Sequence, residues 1–148
     1  MKGLRKSFLL MGLLMSLGCT QDTVNRNPYL PELGFRYDLN LNLPLYSPLN
    51  TTGNPVYLSG AGVGIRGVVV MNTGFDVYRA FEASCPNHPP NSCSTMEVDG
   101  QVARCSCEDY EYSLFTGQLL NRPSGEARYY DMLEYRAVRT GSVLTLSN

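Results

Sequence analysis

Residues 80–88 read Ala80-Phe81-Glu82-Ala83-Ser84-Cys85-Pro86-Asn87-His88, and two further cysteine stations follow, Cys93 and then Cys105-Ser106-Cys107-Glu108-Asp109-Tyr110. Leu114-Phe115-Thr116-Gly117 comes shortly after. Four cysteines fall within 23 residues, and the chain's only histidine, His88, lies among them. In an oxidising compartment an even set of cysteines forms disulfides by default; a metal site is the alternative.

The segments around this stretch read as strands. Upstream, Phe35, Tyr37, Leu39, Leu41 and Leu43 alternate with polar residues until Pro44, the period of a half-buried strand. Pro55–Leu58, Ile65–Met71 and Asp76–Glu82 follow, separated by clusters such as Asn50-Thr51-Thr52-Gly53-Asn54 and Asn72-Thr73-Gly74. Downstream, Leu114–Leu120 contains a Thr116-Gly117 turn. Tyr135–Val138, a Thr140-Gly141 turn and Val143–Leu146 form a terminal hairpin. No segment carries the pattern of an amphipathic helix of useful length. Many short strands with frequent turns predict an all-β antiparallel sandwich or small barrel, here with two cysteine-bearing loops.

The N-terminus has a different character. Lys2, Arg5 and Lys6 precede the apolar run Phe8–Leu17, and Gly18-Cys19 follows. A basic region, a short apolar core and a small residue before the cut describe a secretory signal. The run is ten residues long, whereas a spanning helix needs about 20. Ser16-Leu17-Gly18-Cys19 resembles the bacterial lipobox, in which the cysteine is acylated and becomes the new N-terminus; Ser16 and Leu17 depart from its usual form. Several acyl chains on Cys19 would give stable attachment without a spanning helix. The expected organisation is a lipoprotein signal peptide at 1–18, a lipid-anchored polar tether at 19–33 and one β domain at 34–148. Thr20 is not the aspartate that marks inner-membrane retention. The analogy therefore favours the outer membrane of a bacterial envelope, on its periplasmic or surface face.

Without residues 1–18 the chain keeps nine basic and thirteen acidic side chains, a formal charge of −4. No Lys/Arg run stands out, and nucleic-acid binding, which needs clustered cations to neutralise phosphates, is not expected. The expected partners are the membrane, through the lipid, and an unidentified envelope protein.

The order of residues across the cysteine region resembles the Rieske domain of quinol-oxidising respiratory complexes. That family has C-x-H, a further cysteine, C-x-C-H-G, an aromatic residue and a T-G turn, then a proline-containing loop and a late Tyr-x-Val strand. Asn121-Arg122-Pro123-Ser124-Gly125 and Tyr135-Arg136-Ala137-Val138 stand where the last two would fall, and Gly67–Val70 supplies the strand before the first motif. The resemblance covers about residues 60–148. It implies that Cys85 and Cys105 match the two cysteine ligands of a [2Fe-2S] cluster, and that Cys93 and Cys107 match the disulfide bracing the two loops. Two histidines would hold the second iron. Here Glu108 replaces one, Asn87 stands at the other, and His88 comes one residue late.

One histidine cannot supply two imidazole ligands, so an ordinary cluster is not expected. The resemblance then implies that Cys85 and Cys105, which would have shared one iron, pair with each other. The leading expectation is a cluster-free binding or structural module with no cofactor and no demonstrated enzyme activity. The alternative is an electron-transfer protein keeping a [2Fe-2S] or other iron centre on Cys85, His88, Cys105 and Glu108, although a carboxylate is a hard ligand for such iron. Zinc on Cys85, His88, Cys105 and Cys107 is a third reading; Cys105-x-Cys107 is tight for it and an oxidising location opposes free thiolates. A Cys85–His88 nucleophile pair lacks an evident orienting residue. Tyr110, Tyr112, Tyr129, Tyr130 and Tyr135 read as core and edge aromatics, with Tyr129-Tyr130 a weaker candidate for a partner-binding face.

Overall fold

The structure is a computed structural model that describes residues 26–148. The signal peptide and Cys19 lie outside those residues. The fold is all-β and antiparallel, as the strand pattern predicts. Nine strands are present among the described residues: β1 (Arg36–Asn40), β2 (Pro55–Leu58), β3 (Val68–Gly74), β4 (Val77–Glu82), β5 (Glu97–Asp99), β6 (Val102–Arg104), β7 (Glu111–Ser113), β8 (Glu134–Thr140) and β9 (Val143–Ser147). They form a six-stranded sheet, ordered β1-β9-β8-β4-β3-β2, and a three-stranded sheet, ordered β5-β6-β7.

The run Val68-Val69-Val70-Met71 explains the layering. All four side chains are buried. Side chains alternate between the faces of a strand, so an unbroken apolar run means both faces are covered. Val68 and Val70 join Leu39, Leu49, Tyr135, Leu144 and Leu146 on one side. Val69 and Met71 join Phe81, Met96, Ala103, Tyr112 and Leu114 on the other. The second core carries the cysteine region, because it also contains Cys85 and Cys105.

The structure departs from the sequence pattern at several points, among them Leu114–Leu120, where β7 has ended at Ser113 and the chain turns. The first strand ends at Asn40, and Leu43 is exposed. The Leu43 amide bonds to the Asn40 carbonyl and the chain turns into a 3-10 helix, Pro44–Asn50, whose Tyr46 and Leu49 are buried. A proline at the helix start suits this turn, since its fixed φ is already helical. β3 begins at Val68 rather than Ile65. The amides of Ile65 and Arg66 instead donate to the Glu82 carboxylate, at 2.7 and 2.8 Å. Finally, β5 and β6 lie inside the cysteine region, where no strand pattern is evident.

Gly67 sets the entry into β3. Its φ is +97°, and a Cβ there would stand 2.5 Å from the Leu58 carbonyl oxygen. Only glycine fits that conformation and that approach. Within the stretch expected as a tether, Leu30 is buried and Asn27 Nδ2 donates to the Pro86 carbonyl at 2.7 Å. The segment thus reaches the first cysteine loop.

Candidate functional site

Two loops of the second core meet. The first runs from β4 to β5 and is closed by backbone bonds from Cys85 N to Ser94 O and from Met96 N to Ala83 O, both 2.8 Å. The second joins β6 to β7 and is a tight reversal: Cys105 N donates to Tyr110 O at 2.8 Å and Asp109 N to Cys105 O at 2.9 Å. Asp109 takes the left-handed conformation at φ 58°, which Asp tolerates better than most residues.

Two disulfides join the loops. Cys85 and Cys105 are bonded at 2.07 Å, and Cys93 and Cys107 at 2.09 Å, each pair with Cα atoms 5.5 Å apart. The environments differ. Cys85 and Cys105 are fully buried; Cys93 is exposed and Cys107 half-buried. Sγ atoms of Cys85, Cys105 and Cys107, a His88 ring nitrogen and a Glu108 carboxylate oxygen all lie within 4.8 Å of one another.

His88 reaches this cluster although it stands one residue late. The loop Pro86-Asn87-His88-Pro89 turns its ring inward, leaving the side chain 12% exposed. Nδ1 lies 2.9 Å from the Pro89 carbonyl, which can only accept, so this nitrogen carries the hydrogen. Nε2 lies 3.5 Å from Cys105 Sγ and 3.3 Å from Glu108 Oε2. Glu108 Oε2 is 3.0 Å from Cys105 Sγ. In the oxidised pair that sulfur has no hydrogen to donate, so its approaches to His88 and Glu108 are close contacts rather than hydrogen bonds, whereas Nε2 and Glu108 Oε2 form an ion pair whenever the imidazole carries both protons.

Asn87 turns the other way. Its Nδ2 donates to Tyr112 Oη at 2.8 Å and to the Tyr130 carbonyl at 2.9 Å, and its Oδ1 accepts from Tyr130 N at 2.7 Å. It ties the first loop to β7 and to the segment before β8. Burial pushes the Tyr112 phenol well above its ordinary pKa, and the Asn87 hydrogen bond partly opposes that shift. Tyr129 packs edge-on against Tyr110 with centroids 5.7 Å apart, and Tyr130 against Tyr29 at 6.1 Å. Both are half-buried.

Two residues with large roles are missed by motif reading. Glu82 is fully buried, and its carboxylate accepts from the amides of Ile65, Arg66 and Ser84 and from Tyr135 Oη. Asn91 Oδ1 accepts from Cys93 N at 2.9 Å and lies 3.0 Å from Cys93 Sγ and 3.6 Å from Cys107 Sγ. Glu82 carries no local signal, whereas Asn91 two residues before Cys93 fits an Asx turn.

The donor set does not fit an ordinary Rieske cluster. That cluster takes two imidazoles. His88 is the chain's only histidine, and Asn87, at the C-x-H position, points to Tyr112 and Tyr130. Cys85 and Cys105 are bonded to each other.

No protein-family model and no curated protein matches the chain. Among solved structures, a chain of the oxygenase–ferredoxin complex of carbazole 1,9a-dioxygenase aligns with a TM-score of 0.47 and 13% identity, over 76% of this chain and 28% of that one. The present chain thus spans under a third of that chain's length.

Proposed function

We propose that this chain is an envelope lipoprotein whose Rieske-like domain holds a disulfide where the family holds its cluster, and that it acts as a binding or structural module. One observation carries the reading. The two cysteines in the ligand positions of the motif, Cys85 and Cys105, are bonded to each other in a chain with one imidazole. The order of motifs and the second disulfide, Cys93–Cys107 across the same two loops, support the Rieske-like part. Acylated Cys19 would hold the domain at the membrane, and its partner would be another envelope protein.

A second reading has its own support. His88 and Glu108 both approach Cys105 Sγ, and their polar atoms share a 4.8 Å cluster with Cys85 and Cys107. An electron-transfer protein with a [2Fe-2S] or other iron centre would use Cys85, His88, Cys105 and Glu108.

One experiment separates them. Full-length protein is purified anaerobically from membranes and assayed for iron and acid-labile sulfide, with its absorption spectrum and its alkylated peptides. We expect no iron, no visible thiolate-to-iron bands, no free thiol at Cys85, Cys93, Cys105 or Cys107, and an acylated Cys19 peptide. Iron with sulfide and free Cys85 and Cys105 would overturn the reading in favour of the second. An unmodified residue 1–30 peptide would remove the anchor while leaving the domain reading in place.

A further inference from the structure

The two disulfides differ in access and lie side by side, and this suggests a chemistry for them. We infer that Cys93–Cys107 is an entry point through which external dithiols exchange with the buried Cys85–Cys105 pair, Cys107 being the sulfur that crosses between them. This rests on the proposal that Cys85 and Cys105 form a disulfide.

Thiol–disulfide exchange requires a thiolate to contact a sulfur and displace the other. Cys85 and Cys105 are fully buried, so an incoming thiol cannot touch them while the fold is intact. Cys93 is exposed and can be attacked. Once that bond breaks, Cys107 is the thiolate, and its Sγ lies within 4.8 Å of both Cys85 and Cys105 Sγ. A rotation about χ1 can close such a gap. The reacting groups are then held in one molecule, which favours exchange strongly over a bimolecular encounter.

Polar groups stand ready for the reduced forms. Asn91 Oδ1 lies 3.0 Å from Cys93 Sγ and can accept from its thiol. Glu108 Oε2, 3.0 Å from Cys105 Sγ, can accept from a Cys105 thiol but gains no hydrogen bond from the disulfide. Attack on Cys85 is favoured over attack on Cys105 because a Cys85–Cys107 bond keeps the two loops linked. A Cys105–Cys107 bond would close a small ring within one loop and release the other.

The steps balance. A thiolate of an external dithiol bonds to Cys93 Sγ, and Cys107 leaves as thiolate. Cys107 bonds to Cys85 Sγ, and Cys105 leaves and takes a proton. The second external thiol displaces Cys93 and departs as a cyclic disulfide. Cys93 then attacks Cys107, remaking the outer bond and releasing Cys85, which takes a proton. Two electrons and two protons have passed from the dithiol to Cys85 and Cys105. The natural partner would be a protein dithiol of the envelope.

The test uses the full-length protein. Cys93→Ala leaves Cys107 without its outer partner. Under non-reducing conditions, peptide mapping should find a Cys85–Cys107 bond in about a tenth of molecules or more, with a free thiol on Cys105. Only Cys107 alkylated, with Cys85–Cys105 intact throughout, would overturn the relay. If Cys93→Ala loses its native near-UV circular dichroism, the kinetics decide. In excess dithiothreitol, with samples acid-quenched and alkylated only after unfolding, the Cys105 thiol should appear about tenfold faster or more in wild type than in Cys93→Ser/Cys107→Ser, since reduction of the inner bond in the latter must wait for local opening. Equal rates would overturn the relay. Iron, or free Cys85 and Cys105, in untreated wild type would instead sink the disulfide reading on which the relay depends.

Discussion

Glu82 is where the fold is most exposed to a single change. Its Oε2 accepts from Ile65 N and Tyr135 Oη, both at 2.7 Å, and its Oε1 from Arg66 N at 2.8 Å and Ser84 N at 2.9 Å. Glu82→Ala would strand three backbone N–H groups and a phenol. Each buried donor left without a partner costs roughly 1–3 kcal/mol, about 3–9 kcal/mol for the three amides. Relief of the buried charge's desolvation and water entering the vacated space offset several kcal/mol of this. The expected net loss is about 3–5 kcal/mol. Tyr135→Phe removes one of the four donors and leaves the carboxylate bound to the amides, so it should cost only about 1 kcal/mol. Urea unfolding with disulfides intact measures both. With an m-value of about 1–3 kcal/mol/M, Glu82→Ala should lower the midpoint by roughly 2 M. If Glu82→Ala costs under about 1 kcal/mol, or no more than Tyr135→Phe, the carboxylate is not the hub argued here.

Three further outcomes follow from the same geometry. Burial raises the pKa of Tyr112 and of Tyr135 above 10.0, for Tyr135 with the Glu82 hydrogen bond adding to it. The unfolded chain therefore loses these protons first, so their stabilisation is full below pH 10.0 and declines as pH rises beyond it, by about 1.4 kcal/mol per pH unit for each phenol. Phenolate absorbance should show at least two phenols remaining protonated until the protein unfolds; ionisation of all ten tyrosines with the fold intact would contradict this. Asn87→Ala should cost roughly 2–3 kcal/mol, having lost three hydrogen bonds, and Asn87→His should leave cobalt binding by the reduced protein unchanged, since that side chain faces Tyr112 and Tyr130; a new cobalt band would show otherwise. Gly67→Ala should lower the melting temperature by about 10 °C, as expected for a loss of roughly 2–3 kcal/mol from a left-handed position with no room for Cβ; a change of a degree or two would contradict the close approach to Leu58.

What the sequence revealed depended on the range of the interactions involved. The terminal hairpin β8–β9 and strands β2 and β4 follow from local periodicity and turn residues, because alternation and Gly-containing turns are written within a few positions. The strands β5 and β6 have three residues each, too short to display a period. The 3-10 helix holds Pro44 and Pro48, which read as breakers of a strand but also suit a short tight helix. Glu82 could not be read at all: its partners are two loop amides, a neighbouring amide and a phenol 53 residues away. In the site, the four clustered cysteines and the lone His88 among them were legible from their spacing, but not where the side chains of Asn87 and His88 would turn. A one-residue displacement can be absorbed by a proline-flanked loop, and Asn87 and His88 divide the work between a brace and the cysteine cluster.

That division bears on how two disulfides can organise the loops. The bonds close segments of 20 and 14 residues, and each alone would contribute about 2–4 kcal/mol by restricting the unfolded chain. The segments overlap between Cys93 and Cys105, so once one bond is present the other closes a smaller effective loop, and the pair is worth less than the sum. The inner bond has a second role. Cys85 and Cys105 are members of the apolar core with Phe81, Met96, Tyr112 and Leu114, where cysteine packs as a small hydrophobe whatever its redox state. Breaking the inner bond therefore need not expose the sulfurs or empty the core, while Asn87 continues to tie the first loop to Tyr112 and Tyr130. A bond that can open without collapse of the packing around it differs from a staple on which the fold depends. On the relay inferred above, the inner pair changes oxidation state within intact packing, and the outer pair is its route to solvent.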